Sequence, residues 1–159
     1  MKTKLSLLFS LAFSLFIANN VKAQATGSEY NTAIGFKFSP AAVTVKHFVK
    51  PNAALEGLGY FWRDGFRLTG LYEWHGNING ARGLKWYVGG GAHVDVWDEN
   101  YRRGRDGKAA AGMDGVLGLD YKFNGAPINI SVDWQPSITF IGASYSNAGW
   151  VGAAIRFAF

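Results

Sequence analysis

The chain reads as an all-β protein, a closed antiparallel up-and-down transmembrane β-barrel of about eight strands, and three observations carry that expectation. The stretch Trp150–Phe159 alternates, with Val151, Ala153, Ile155, Phe157 and Phe159 on one face of an extended strand and Gly152, Ala154, Arg156 and Ala158 on the other. Similar period-two stretches recur along a chain rich in aromatic residues and glycine, with 12 Phe, 7 Tyr, 6 Trp and 21 Gly. After the first 23 residues no apolar run approaches the roughly 20 residues of a spanning helix, so any membrane crossing must use strands that close on themselves and leave no unpaired edge.

Residues 1–23 read as a secretory signal peptide, and 24–159 as one outer-membrane barrel domain. Met1-Lys-Thr-Lys4 is positive, Leu5–Ala18 is mostly apolar but too short to span, and Val21-Lys22-Ala23 suits a signal peptidase. Removing Lys2, Lys4 and Lys22 lowers the formal charge from +5 to +2, so the high isoelectric point gives no support to a nucleic-acid partner. With no cysteine in the chain, neither a disulfide framework nor a lipidated N-terminal Cys is available.

The strands follow in order. From Tyr30 to Phe38 the even positions, Tyr30, Ile34, Phe36 and Phe38 among them, form an apolar face opposed by Asn31, Ala33, Gly35 and Lys37. Ser39-Pro40 breaks the pattern, and Val43, Val45 and Val49 then oppose Thr44 and Lys46, with His47 on the apolar side and Phe48 on the polar one. Lys50-Pro51-Asn52 is a turn. In Ala54–Trp62 the parity that points Glu56 inward also points Tyr60 and Trp62 inward and Leu55 and Phe61 outward. Arg63-Asp64-Gly65 is a tight turn. Phe66, Leu68, Gly70, Tyr72 and Trp74 then oppose Arg67, Thr69, Leu71, Glu73 and His75.

Gly76–Arg82 reads as a connection. The next strand sets Leu84, Trp86, Val88, Ala92, Val94 and Val96 against Lys85, Tyr87, His93, Asp95 and Trp97, and Gly89-Gly90-Gly91 within it permits a sharp bend. Asp98–Lys108 is the longest and most charged loop. Met113, Leu117, Leu119, Tyr121 and Phe123 then oppose Asp114, Asp120 and Lys122, and Asn124-Gly125 makes a hairpin. Ile128, Ile130, Val132, Trp134, Ile138 and Phe140 oppose Asn129, Ser131, Asp133, Gln135, Ser137 and Thr139, with a bulge expected at Pro136, which has no N–H to give the ladder. Ser144–Gly149 reads as a polar loop before the last strand. An even strand number puts the termini and the turns at Pro51-Asn52, Gly76–Arg82 and Asn124-Gly125 on the periplasmic side, and Asp98–Lys108 outside.

Volume and charge decide which face points inward. An eight-stranded barrel is just wide enough for side chains to fill, and the apolar faces carry too many large aromatic residues to fit inside. The polar faces carry six cations, Lys37, Lys46, Arg67, Lys85, Lys122 and Arg156, and six anions, Glu56, Glu73, Asp95, Asp114, Asp120 and Asp133. Near-balance suits a buried interior, where an unpaired charge is costly. A lumenal polar network is therefore expected from Lys46, Glu56, Arg67, Glu73, Lys85, His93, Asp95, Asp114, Asp133 and Arg156. Lys37, Asp120 and Lys122 could instead sit hydrated near strand ends.

Gly83-Leu-Lys-Trp-Tyr-Val-Gly-Gly-Gly-Ala-His93, Gly115–Phe123 and Pro127–Pro136 resemble segments of short, largely uncharacterised outer-membrane barrel proteins, and the overall plan resembles the OmpA, OmpX and OmpW kind. That resemblance implies an outer-membrane location, contact with outer-membrane lipid and lipopolysaccharide, and a terminal strand read by the barrel-assembly machinery through Ile155, Phe157 and Phe159. It brings no catalytic residues.

A monomeric barrel with a side-chain-filled lumen, no cofactor and a structural, envelope or surface-interaction role is the expectation. An alternative is a small apolar-ligand barrel with Tyr60, Trp62, Tyr87 and Trp97 around a cavity. A lipid A-modifying enzyme would need a hydroxyl nucleophile beside a histidine and an acid, from Ser131 or Ser137, His75 or His93, and Asp95 or Asp133. No spacing singles out such a set. Arg102, Arg103 and Arg105 could contact lipopolysaccharide phosphates, but neighbouring acids offset much of their charge.

Overall fold

A computed structural model describes residues 29–63, 65–97, 109–142 and 145–159. The expected signal peptide and the charged loop with Arg102, Arg103 and Arg105 lie outside the described residues. Eight strands close into one antiparallel barrel, each paired with its chain neighbours and the last with the first. They are β1 (Thr32–Phe38), β2 (Ala42–Lys50), β3 (Ala53–Trp62), β4 (Gly65–Asn77), β5 (Leu84–Trp97), β6 (Ala109–Lys122), β7 (Ile128–Ile141) and β8 (Tyr145–Ala158). Closure runs from Ala33 opposite Ala158 to Phe38 opposite Ala153.

The outward face is apolar all round. Phe36, Phe61, Leu68, Met113, Ile138 and Val151 each expose 60–66% of their surface, and Trp74, Trp134, Phe140, Ile155 and Phe157 stand beside them. The inward face is polar, so the apolar faces are not packed inside the barrel. His47 points out and Phe48 in, as their parity requires.

The ladders carry three irregularities, one of them between β6 and β7, where Ala111 opposes Ile141 and Gly112 opposes Thr139. β2 slips register between Phe48 and Lys50. At Pro136 the expected bulge is present, but the extra residue is on the neighbouring strand. Gln135 opposes Trp150 while Ser137 opposes Asn147, and Gly149, with φ of 108°, absorbs the surplus. The glycine run in β5 allows a tight approach: a Cβ on Gly91 would collide with the carbonyl oxygen of Gly70 on β4.

Several expectations are corrected. Tyr30 precedes β1 and turns inward rather than outward, because its hydroxyl reaches Asp120 across the barrel mouth. Gly76 belongs to β4, and β8 begins at Tyr145, so most of the expected Ser144–Gly149 loop is strand paired with β7. Trp62 has inward parity but is 39% exposed at the rim. Lys37, Asp120 and Lys122 are buried, not hydrated. The wall is uneven: β1 has 7 residues and β8 has 14, so Tyr145–Gly152 pairs with β7 on one side and finds no β1 partner on the other.

Candidate functional site

Among the described residues the lumen is where most chemistry-bearing side chains converge, and inward parity on all eight strands puts them there. Near the short turns, Arg156 of β8 pairs with Glu56 of β3. It also donates to Thr44 Oγ1 at 3.1 Å, Asn129 Oδ1 at 3.1 Å and Ser131 Oγ at 2.8 Å. Lys46 Nζ lies 2.8 Å from Glu73, 3.3 Å from Glu56 and 3.7 Å from Asp120, and 4.1 Å from the centre of the Tyr87 ring. Tyr30 and Asn129 donate to Asp120 at 3.1 and 2.9 Å. Burial, and then the Asp120 carboxylate beside it, raises the Tyr30 hydroxyl well above its ordinary range, so it stays a donor. His75 lies 3.0 Å from Glu73 and stacks on Tyr87.

Midway, Lys37 reaches Asp133 at 2.5 Å and Gln135 at 3.1 Å. Tyr87 and Tyr60 donate to the same two groups at 2.9 and 2.8 Å. Both rings are fully buried, so they fill the lumen rather than line a chamber.

At the opposite end, towards the β5–β6 connection, His93 Nδ1 is 2.6 Å from Asp114, and its Nε2 is 3.0 Å from Thr139 Oγ1 and 3.7 Å from Asp95. Arg67 is 3.2 Å from Asp95 and lies under the Trp150 ring, which also packs on Tyr60. Gln135 donates to Asp114 at 3.2 Å and ties this layer to the middle one.

Each outer layer holds one carboxylate more than its strong bases: Lys46 and Arg156 face Glu56, Glu73 and Asp120, and Arg67 faces Asp95 and Asp114. Each also holds one histidine against the surplus. His93 stands between Asp114 and Asp95, and His75 beside Glu73.

Of the ten expected network residues, nine are buried and joined in this way. Lys85 is different. It is half-buried at the short-turn mouth, with its ammonium 5.2 Å from the centre of the Phe48 ring. Its register partner Asp120 already accepts from Tyr30 and Asn129.

The sequence reading left Thr44, Asn129, Gln135 and Thr139 out of the network, although parity faced all four inward. Parity set Tyr30 on the outward face, and its turn to Asp120 follows from its place before the first paired residue. The residues weighed for acyl chemistry are not brought together. Ser131 accepts from Arg156 and Ser137 from Arg67, while the hydroxyl against His93 belongs to Thr139, which is 1% exposed.

These features define a class: an eight-stranded antiparallel barrel, apolar outside and filled with paired charges. No protein-family model matches the chain, and no curated protein matches it either.

Proposed function

We propose that this is an integral outer-membrane barrel, a monomer with no catalytic role, whose lumen is closed by its own side chains and which serves the envelope structurally or through its loops. The observation that carries the reading is the inversion of the two faces. A soluble barrel gains by burying apolar side chains, whereas here they form the outside on every strand and the charges form the core. Lipid reverses the cost of such a surface, and closure leaves β1 and β8 paired rather than as open edges. The strands β4–β8, with 13 or 14 residues each, exceed the ~9–11 residues a tilted membrane strand needs.

In this reading Ile155, Phe157 and Phe159 meet lipid and present the assembly signal, and the partners are outer-membrane lipid, lipopolysaccharide and the assembly machinery. The short-turn mouth faces the periplasm. The test combines membrane fractionation with gel mobility of the detergent-extracted protein before and after boiling. A heat-modifiable band in the outer-membrane fraction is expected. A soluble periplasmic protein whose mobility ignores heating would overturn the proposal.

A further inference from the structure

We propose that the short-turn mouth of the barrel is a binding site for an extended acidic peptide, with Lys85 at its centre. Two adjoining clefts open there. One, of about 460 Å³, is lined by the β4–β5 turn, with Asn77, Asn79, Arg82 and Lys85. The other, of about 320 Å³, lies between Asn31, Phe48, Lys50 and Lys85. Both volumes fall within the range of small-ligand sites. Only Lys85 and Glu29 line both.

The charge of the mouth points to the ligand. Lys85 has inward parity but no acid partner among the described residues, because Tyr30 crosses the mouth and occupies Asp120. Its ammonium rests on the Phe48 ring at the seam of the clefts, with the exposed cations Lys50 and Arg82 on either side. Glu29 is the only acid among the described residues in either lining. Three cations spaced along a two-lobed cleft suit carboxylates spaced along a chain, since charge-assisted hydrogen bonds are the strongest a surface site can make. The side-chain amides of Asn31, Asn77 and Asn79 offer donors and acceptors to a peptide backbone between those carboxylates.

The chain itself shows what fits. Glu29-Tyr30-Asn31 lies across this mouth, and it places one carboxylate between the lobes. A longer acidic segment from a periplasmic protein would use the same cations and displace Glu29. Its entry from the periplasm rests on the membrane reading above.

The experiment is fluorescence anisotropy of a labelled peptide of alternating glutamate and glycine, titrated with detergent-folded full-length protein at low salt. Saturable binding is expected for the wild type, and none for the glutamine version of the peptide. Lys85→Gln and Arg82→Gln should each weaken binding about tenfold, the scale of one charge-assisted contact. Glu29→Gln removes the competing carboxylate and should strengthen it. Every variant is checked by heat-modifiable mobility, so failure of the barrel reading shows on the gel and failure of the site shows only in the titration. No wild-type binding, equal binding of the glutamine peptide, or the same affinity in Lys85→Gln would each overturn the proposal. So would preferential binding to isolated cell-wall glycan over the peptide, which would make this a saccharide site.

Discussion

His93 shows how a single side chain can decide whether a buried layer is tolerable. It stands between Asp114 and Asp95, and Arg67 compensates only one of them. His93→Ala should therefore cost about 1–3 kcal/mol, the scale of buried polar groups left without their hydrogen-bond partner. Urea unfolding in lipid vesicles measures it. Adding Asp114→Asn should recover part of that loss, because it removes the surplus carboxylate. A His93→Ala protein as stable as the wild type would mean that the contacts of His93 with Asp114 and Thr139 do not hold this layer together. Gly118 makes a second residue-scale point, since a Cβ there would lie 2.6 Å from Cζ of Tyr87. Gly118→Ala should cost about 1–3 kcal/mol through overpacking. The same substitution in a Tyr87→Leu background should recover only part of that cost, because the carbonyl oxygen of Val132 still stands 2.7 Å from the new Cβ, and the two unfolding curves decide it. At this scale the sequence was informative wherever a residue lay inside a long alternation. It set Tyr30 outward, whereas its inward turn depends on an acceptor on β6, and that turn is why Lys85 could not be seen to lack an acid.

Among the elements, β8 is the most exposed to disturbance because its two halves are held differently. Ala153–Ala158 is paired on both sides, while Tyr145–Gly152 leans on β7 alone and carries the bulge at Gly149. Hydrogen exchange should reflect this. Amides in Ser146–Gly152 that point away from β7 should exchange orders of magnitude faster than those of Ile155 and Phe157, whose strand segment is paired on both sides. Uniform protection along β8 would show that something else pairs with its upper edge. Pro136 made the bulge legible, since a residue with no N–H must interrupt a ladder. The strand beyond it was not legible: Ser146, Asn147, Ala148 and Gly149 carry no apolar alternation, Ser146 and Asn147 pair with β7, and the Ala148 carbonyl accepts from Trp134 Nε1. Local composition reads such a stretch as loop, and only the length of β7 opposite makes it strand.

At the scale of the whole molecule, face parity and charge count together specified the architecture. The polar faces had to be inside because twelve charges of near-equal number could be paired there, while the aromatic faces could not be packed into so narrow a barrel. Eleven of those twelve are buried, with Lys85 left at the mouth. The same filling bears on transport. Tyr60, Tyr87, Gln135, Lys37 and Asp133 are hydrogen-bonded to one another across the middle of the lumen, and none exposes more than 3% of its surface. An ion crossing the barrel would have to break that layer and shed its water in the gap. Reconstituted into a planar bilayer, the wild-type protein should therefore show no resolvable single-channel steps. Replacing the two rings, as Tyr60→Ala with Tyr87→Ala, removes the largest side chains of the layer and should produce small, frequent openings while the protein stays heat-modifiable. Steady conductance in the wild type would show that the lumenal layer opens in a membrane, and the barrel would then be a channel rather than a closed wall.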